Sequence, residues 1–201
     1  MAARARLRAL IGGKVKRVSL LFLAACPLFA ADTIRIERDL VEIARVATIM
    51  VDGDVCRRIV TARALESIFR VDPRDQYADS DNYDVNDQAF ISTKKTLMRL
   101  GRMVDYPVDV NLWMPLDAKP PRIHIVIRNR FEMSQFWPWG KLHQDMIPEM
   151  QSVLSNGQRV TVKQKPGFIS VLAPVRNSLN EVVGLVEVVT RTEPDSRENV
   201  K

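Results

Sequence analysis

Phe168-Ile-Ser-Val-Leu-Ala-Pro-Val-Arg-Asn-Ser-Leu-Asn-Glu-Val-Val-Gly-Leu-Val-Glu-Val-Val189 reads as two strands and the turn between them. Phe168–Arg176 and Val182–Thr190 are dense in β-branched residues, which suit a pleated, packed surface. Asn177-Ser-Leu-Asn180 is turn chemistry, because Asn side chains bond nearby backbone groups and tolerate left-handed conformations. So short a connection joins antiparallel strands, since parallel ones need a crossover. Just upstream, Lys165-Pro-Gly167 marks another turn and Arg159–Gln164 another strand. Together these make a three-stranded meander.

Further back, Val108-Asp-Val-Asn-Leu-Trp-Met114 and Arg122-Ile-His-Ile-Val-Ile-Arg128 alternate with the period of two that marks a strand. Pro115, Pro120 and Pro121 fall in the connection between them. The segment Asn129–Gly140 leads into an expected helix near Lys141–Leu154, with Asn156-Gly157 as a C-cap pair. Before the strands the period is helical. Ile36, Leu40, Ile43, Ala47, Met50 and Val51 share one face. Asp52-Gly53-Asp54 bends this pattern, which resumes at Val55, Ile59, Leu65, Ile68 and Phe69 until Pro73 stops it. One long, kinked helix to about Arg70 is expected, then a second helix over Gln88–Val104. The fold class is therefore α+β: a five-stranded antiparallel sheet, a long N-terminal helix, and helices packed on one face.

The N-terminus carries a different message. Arg4, Arg6, Arg8, Lys14, Lys16 and Arg17 precede an apolar run from Val18 to Ala31, with no acid among them. A basic region before a short apolar one is the pattern of a secretory signal. Pro27 interrupts the run, which falls short of the ~20 apolar residues that span a bilayer. Leu23-Ala24-Ala25-Cys26 resembles the lipobox of bacterial lipoproteins, which implies lipidation of Cys26. The alternative is an ordinary signal core that happens to contain a Cys. The expected organisation is a signal over 1–31, one domain over 32–192 and a polar tail over 193–201. The location is periplasmic or otherwise extracytoplasmic, with membrane attachment only through the lipid.

The leader also distorts the charge. The chain holds 30 basic and 24 acidic side chains, and the leader's six basic residues account for the whole excess. The remaining domain is balanced, which argues against nucleic acid, because phosphate binding needs the excess in the folded part. Cys56 is the one Cys outside the leader, so no internal disulfide or CxxC site is expected. Asp72, Asp75, Asp79, Asp81, Asp84 and Asp87 crowd one loop. With Asp79 as first ligand of a calcium loop, Asp84 stands where Gly belongs and Phe90 where Glu belongs. A solvated loop is the plainer reading.

Phe168–Val189 resembles the closing hairpin of Cache domains, the extracytoplasmic PAS-like sensors. An apolar-x-Ala-Pro-Val strand, a turn and a Val-x-Gly-x-Val-x-Val strand carry the likeness. The signal, the N-terminal helix and the strand order are similar to the single-Cache type. The resemblance implies a PAS-like sheet with a pocket beside the helical excursion, a small metabolite of the organic-acid or amino-acid class, and a protein partner that passes the signal on.

The residues themselves offer pocket material. Arg128 and Arg130 suit a carboxylate, and Phe131, Phe136, Trp137 and Trp139 suit apolar walls. Trp113 is either core or pocket floor. His124 and His143 stand apart in sequence, and no HExxH, GxSxG, P-loop or GxGxxG occurs. No catalytic residue, metal site or cofactor is expected. The competing reading is an envelope interaction protein that exposes the Phe136–Trp139 cluster as a docking patch.

Overall fold

The computed structural model describes residues 26–70, 86–137, 141 and 143–192. The signal residues before Cys26, the acidic loop as far as Val85, Trp139 and the polar tail lie outside these. Contacts divide the chain into a unit of residues 1–36 and a main unit from Glu37 onward. Among the described residues no helix is long and apolar enough to cross a membrane.

The expected long helix is three helices. α1 runs Cys26–Met50, α2 Gly53–Cys56 and α3 Ala62–Arg70. Each restart has a side chain that takes up N–H groups left without helical partners. The Asp52 carboxylate accepts from the N–H of Asp54 at 2.8 Å and of Val55 at 3.2 Å. The Thr61 hydroxyl accepts from the N–H of Ala64 at 3.2 Å. Gly53 is required at the first break, since a Cβ there would stand 2.4 Å from the Arg176 carbonyl oxygen. α4, Asp87–Leu100, starts on an Asn86 cap and ends four residues earlier than expected, at Gly101. A Cβ on Gly101 would lie 2.8 Å from the Val108 carbonyl, so the glycine lets the next strand begin close to the helix end.

Six strands form one antiparallel sheet, where five were expected. They are β1 Asp109–Leu116, β2 Arg122–Ile127, β3 Gln144–Asp145, β4 Val160–Val162, β5 Phe168–Arg176 and β6 Val182–Arg191. Their order across the sheet is β3-β2-β1-β6-β5-β4. The additional strand is β3, a two-residue edge that pairs Asp145 with Arg122 and Gln144 with Ile123. It occupies the start of the expected helix. That helix, α5, runs Pro148–Asn156, because Pro suits a first helical turn. Gly157 closes it with φ +63°, as its place after Asn156 suggests.

Helices on a single face would leave alternate residues of the central strands wet. Instead β5 and β6 are buried on both rows from Ile169 to Val175 and from Val183 to Thr190. On one face Trp113, Ile123, Ile125, Leu172 and Leu185 pack with Met150 and Val153 of α5 and with Phe136. The opposite row includes Leu112, Val171, Ala173, Val186 and Val188, each fully buried. The sheet is therefore covered on both sides. Cys56 is buried at the end of α2, and burial pushes its thiol up to about 12, so it stays protonated and inert.

Candidate functional site

A buried carboxylate organises the face that carries the Asn129–Trp137 segment. Glu187 lies on β6 with none of its surface exposed. Its Oε1 accepts from the Gln135 backbone N–H at 2.9 Å and the Ser170 hydroxyl at 3.0 Å. Its Oε2 accepts from the Ser134 hydroxyl at 2.7 Å, Trp113 Nε1 at 3.1 Å and Asn111 Nδ2 at 3.4 Å. The Ser134 oxygen also accepts from the N–H groups of Phe136 and Trp137, so its own proton points at Glu187. Burial raises the Glu187 carboxyl above its usual range, and these hydrogen bonds oppose the rise.

Two neighbours extend the clamp. Asn111, paired directly across the sheet from Glu187, donates to the Met133 carbonyl at 2.7 Å and accepts from the Asn129 N–H at 3.2 Å. Asp109 accepts from the N–H groups of Phe131 at 3.1 Å and Met133 at 2.8 Å. Burial raises the Asp109 carboxyl, with the Met133 and Phe131 N–H groups pulling the other way. An irregular segment laid over a sheet has backbone groups that need partners. Here Asp109, Asn111 and Glu187 supply them.

One end of the clamped segment forms the wall of an open groove of about 250 Å³. Met98, Arg102 and Asp105 line one part, Tyr106 and Val108 another, and Arg130 with Phe131 the third. Its frame is fixed. Asn129 Nδ2 donates to the Leu97 carbonyl at 3.4 Å, Tyr106 donates to Asp39 at 3.2 Å, and Thr190 donates to the Pro107 carbonyl at 2.5 Å. The Arg130 guanidinium lies 5.3 Å from the Phe131 ring centre, and Phe131 is 45% exposed. No ion pair engages Arg102 or Arg130 among the described residues. The groove thus offers two guanidinium groups and an aromatic face on a stiff backbone.

No family model and no curated protein matches the chain. The site must be judged on its own chemistry.

The structure divides the residues singled out from the sequence. Arg130 and Phe131 lie together in the groove. Arg128 and Trp137 pair elsewhere, with the guanidinium 4.2 Å from the indole ring, a cation–π contact. Trp137 packs beside the core and its Nε1 is buried without an acceptor. Trp113 is 1% exposed in the core, and its N–H is spent on Glu187. His143 is not at a helix start; it precedes the edge strand β3 and takes a hydrogen bond from Arg122. His124 is buried on β2, which lowers its pKa to about 4. Among the described residues no cluster of three or more His, Cys, Asp or Glu is set to hold a metal.

Sequence reasoning passed over Asp109, Asn111, Ser134, Glu187 and Arg102. For Glu187 the signal was there: it is a lone carboxylate inside the apolar run Val182–Val189. A charge in such a run has to be satisfied internally. Arg102 had no comparable mark, because nothing local brings residue 102 beside residue 130.

Proposed function

We propose that the domain is an extracytoplasmic small-molecule-binding module of the PAS-like sensor type. In this reading it performs no chemistry on its ligand and signals through a separate protein partner. The ligand sits in the groove at the end of α4 and belongs to the organic-acid or amino-acid class. The observation that carries this is the pair Arg102 and Arg130, without ion-pair partners, beside the exposed Phe131. Guanidinium groups bind carboxylates with two parallel hydrogen bonds, and an aromatic face accepts an apolar body. Asp105 and the negative end of α4 are close by, which favours a ligand that also carries an ammonium group. A groove of about 250 Å³ is small beside the ~300–1,000 Å³ of drug-sized sites, so the ligand is metabolite-sized.

The chain order supports the PAS-like part of the reading. Two strands, an excursion and a three-stranded meander put the first and last strands side by side at the centre. The docking alternative asks for Phe136–Trp139 as an exposed apolar patch. Phe136 is only 9% exposed and Trp137 carries Arg128 on its ring, so that alternative is less favoured.

The test is thermal unfolding of the purified chain with a panel of organic acids and amino acids. A ligand at a hundredfold excess over its Kd stabilises by about 2.7 kcal/mol. The shift should vanish when Arg102 and Arg130 are both replaced by Ala. A shift that survives the double replacement would move the ligand out of this groove. No shift with any member of the panel would count against the small-molecule reading altogether.

A further inference from the structure

α4 turns one face inward and the other to solvent. Ala89, Thr93, Leu97 and Leu100 are buried. On the outer face Ile91, Lys95, Arg99 and Arg102 follow at spacings of four, four and three, which keeps them in one row. All four are exposed. Arg102 stands just past the helix end and brings the row to the groove. The stretch 88–104 holds Lys94, Lys95, Arg99 and Arg102 and no Asp or Glu.

Other surface cations of the protein have acidic partners. Arg45 pairs with Glu42 at 2.7 Å on α1, and Lys163 pairs with Glu37 at 2.6 Å. Lys95, Arg99 and Arg102 have none among the described residues. Lys95 and Arg99 are one turn apart, where like charges destabilise a helix. The helix dipole favours Arg99 in the last turn, which leaves Lys95 and the length of the row unexplained by the fold. Apolar side chains stand among these cations. Ile91 is 49% exposed, and Met103, next to Arg102, is 46% exposed.

Isolated apolar tips on a convex helix give a small anion no pocket. A folded acidic partner would need a matching cavity for each tip. A fluid layer of anionic lipid needs neither, because its headgroups meet the cations while stems and apolar tips reach the layer beneath. We propose that the outer row of α4 is a docking surface for an anionic lipid bilayer. Lys95 and Arg99 engage headgroup phosphates, Ile91 and Met103 enter the interfacial layer, and Arg102 extends the positive field towards the groove. Ile91, Lys95 and Arg99 lie outside the groove, so the surface stands or falls apart from the small-molecule reading.

Sedimentation of the full chain with vesicles tests it, using phosphatidylcholine alone or mixed with phosphatidylglycerol. Binding should require phosphatidylglycerol and weaken in about 0.5 M salt. Each cation near the surface contributes about fivefold, so Lys95→Gln with Arg99→Gln should weaken binding about 25-fold. Ile91→Ser should weaken it about fivefold. The basic leader is common to wild type and variants, so their differences read the row. Urea unfolding of each variant checks that the fold is intact. In NMR with bicelles carrying spin-labelled phosphatidylglycerol, the Ile91 and Met103 methyl signals should broaden and those of Leu154 on α5 should stay sharp. Equal binding to neutral vesicles, no loss in the Lys95/Arg99 double variant, or sharp Ile91 and Met103 signals each overturn the proposal. Capture of polyglutamate in place of vesicles, with the same dependence on Lys95 and Arg99, overturns it in favour of an acidic protein partner.

Discussion

The Asn129–Trp137 segment has two unlike halves. From Met133 to Trp137 its backbone is held by buried side chains, with Glu187 at the centre. At Arg130 and Phe131 the backbone is held just as firmly, by Asn129 and Asp109, but the side chains face the groove. One half uses its polar groups to satisfy the fold. The other uses the fold to present polar groups that the fold does not need. The lesson is that composition does not separate these roles; partners do. Arg128 and Arg130 look alike in sequence, yet one stacks on Trp137 and the other lines a groove.

Breaking the satisfied half should have the largest effect. Glu187→Ala leaves donors from Trp113, Ser134, Gln135 and Ser170 without their acceptor and opens a cavity. Buried unsatisfied groups cost about 1–3 kcal/mol each, and partial relaxation keeps the sum below simple addition. A loss on the order of 4 kcal/mol is expected in urea unfolding, with the slope unchanged. Glu187→Gln retains the shape and one acceptor oxygen, and should cost about half as much. A loss under about 1 kcal/mol for the alanine variant would show that the segment does not depend on this carboxylate.

That dependence marks the boundary of what the sequence discloses. The meander was legible because Phe168–Arg176 and Val182–Thr190 are locally consistent: β-branched runs bounded by an Asn-rich turn. The long helix was misjudged because the apolar period continues through Asp52–Asp54, while the cap bonds of Asp52 and Thr61 and the tight approach of Gly53 to Arg176 break the helix. β3 was invisible, since a two-residue pairing leaves no periodic signal. The groove was half legible. Arg130 and Phe131 are adjacent in sequence and have the right chemistry, but Arg102 joins them only through the turn after α4.

The next effect separates the faces by pH. His124 is 2% exposed, and burial, with the nearby His143, lowers its pKa to about 4 from 6.5. A group whose folded pKa is depressed contributes stability that is full above its unfolded value and lost as the pH falls towards the folded one. At 1.36 kcal/mol per unit, the loss between pH 6.5 and 4 is about 3 kcal/mol. Glu187 and Asp109 act with the opposite sign. Their raised values give stability that is full below the ordinary carboxylate range and fades as the pH rises through the folded values. Wild-type stability should therefore decline from about pH 6.5 downward, and His124→Gln should remove most of the decline. Chemical denaturation at several pH values reads this directly. A variant that declines as steeply as wild type would place the acid sensitivity elsewhere.

The smallest expected effect sharpens the comparison most. If Arg102 and Arg130 are offered to a ligand and not used by the fold, replacing both with Ala should change stability by no more than about 1 kcal/mol. Both lie at the surface and form no ion pair among the described residues. The Arg130 guanidinium does lie over the Phe131 ring, and exposed cation–π contacts contribute about 0.5–1 kcal/mol, so any loss should come from Arg130 alone. Measured without ligand, the two single variants separate this packing from binding. A near-silent Arg102→Ala, with Arg130→Ala within the cation–π range, fits side chains held in reserve. A loss above about 1.5 kcal/mol from either would mean that the groove arginines carry structure, as the opposite half of the segment does.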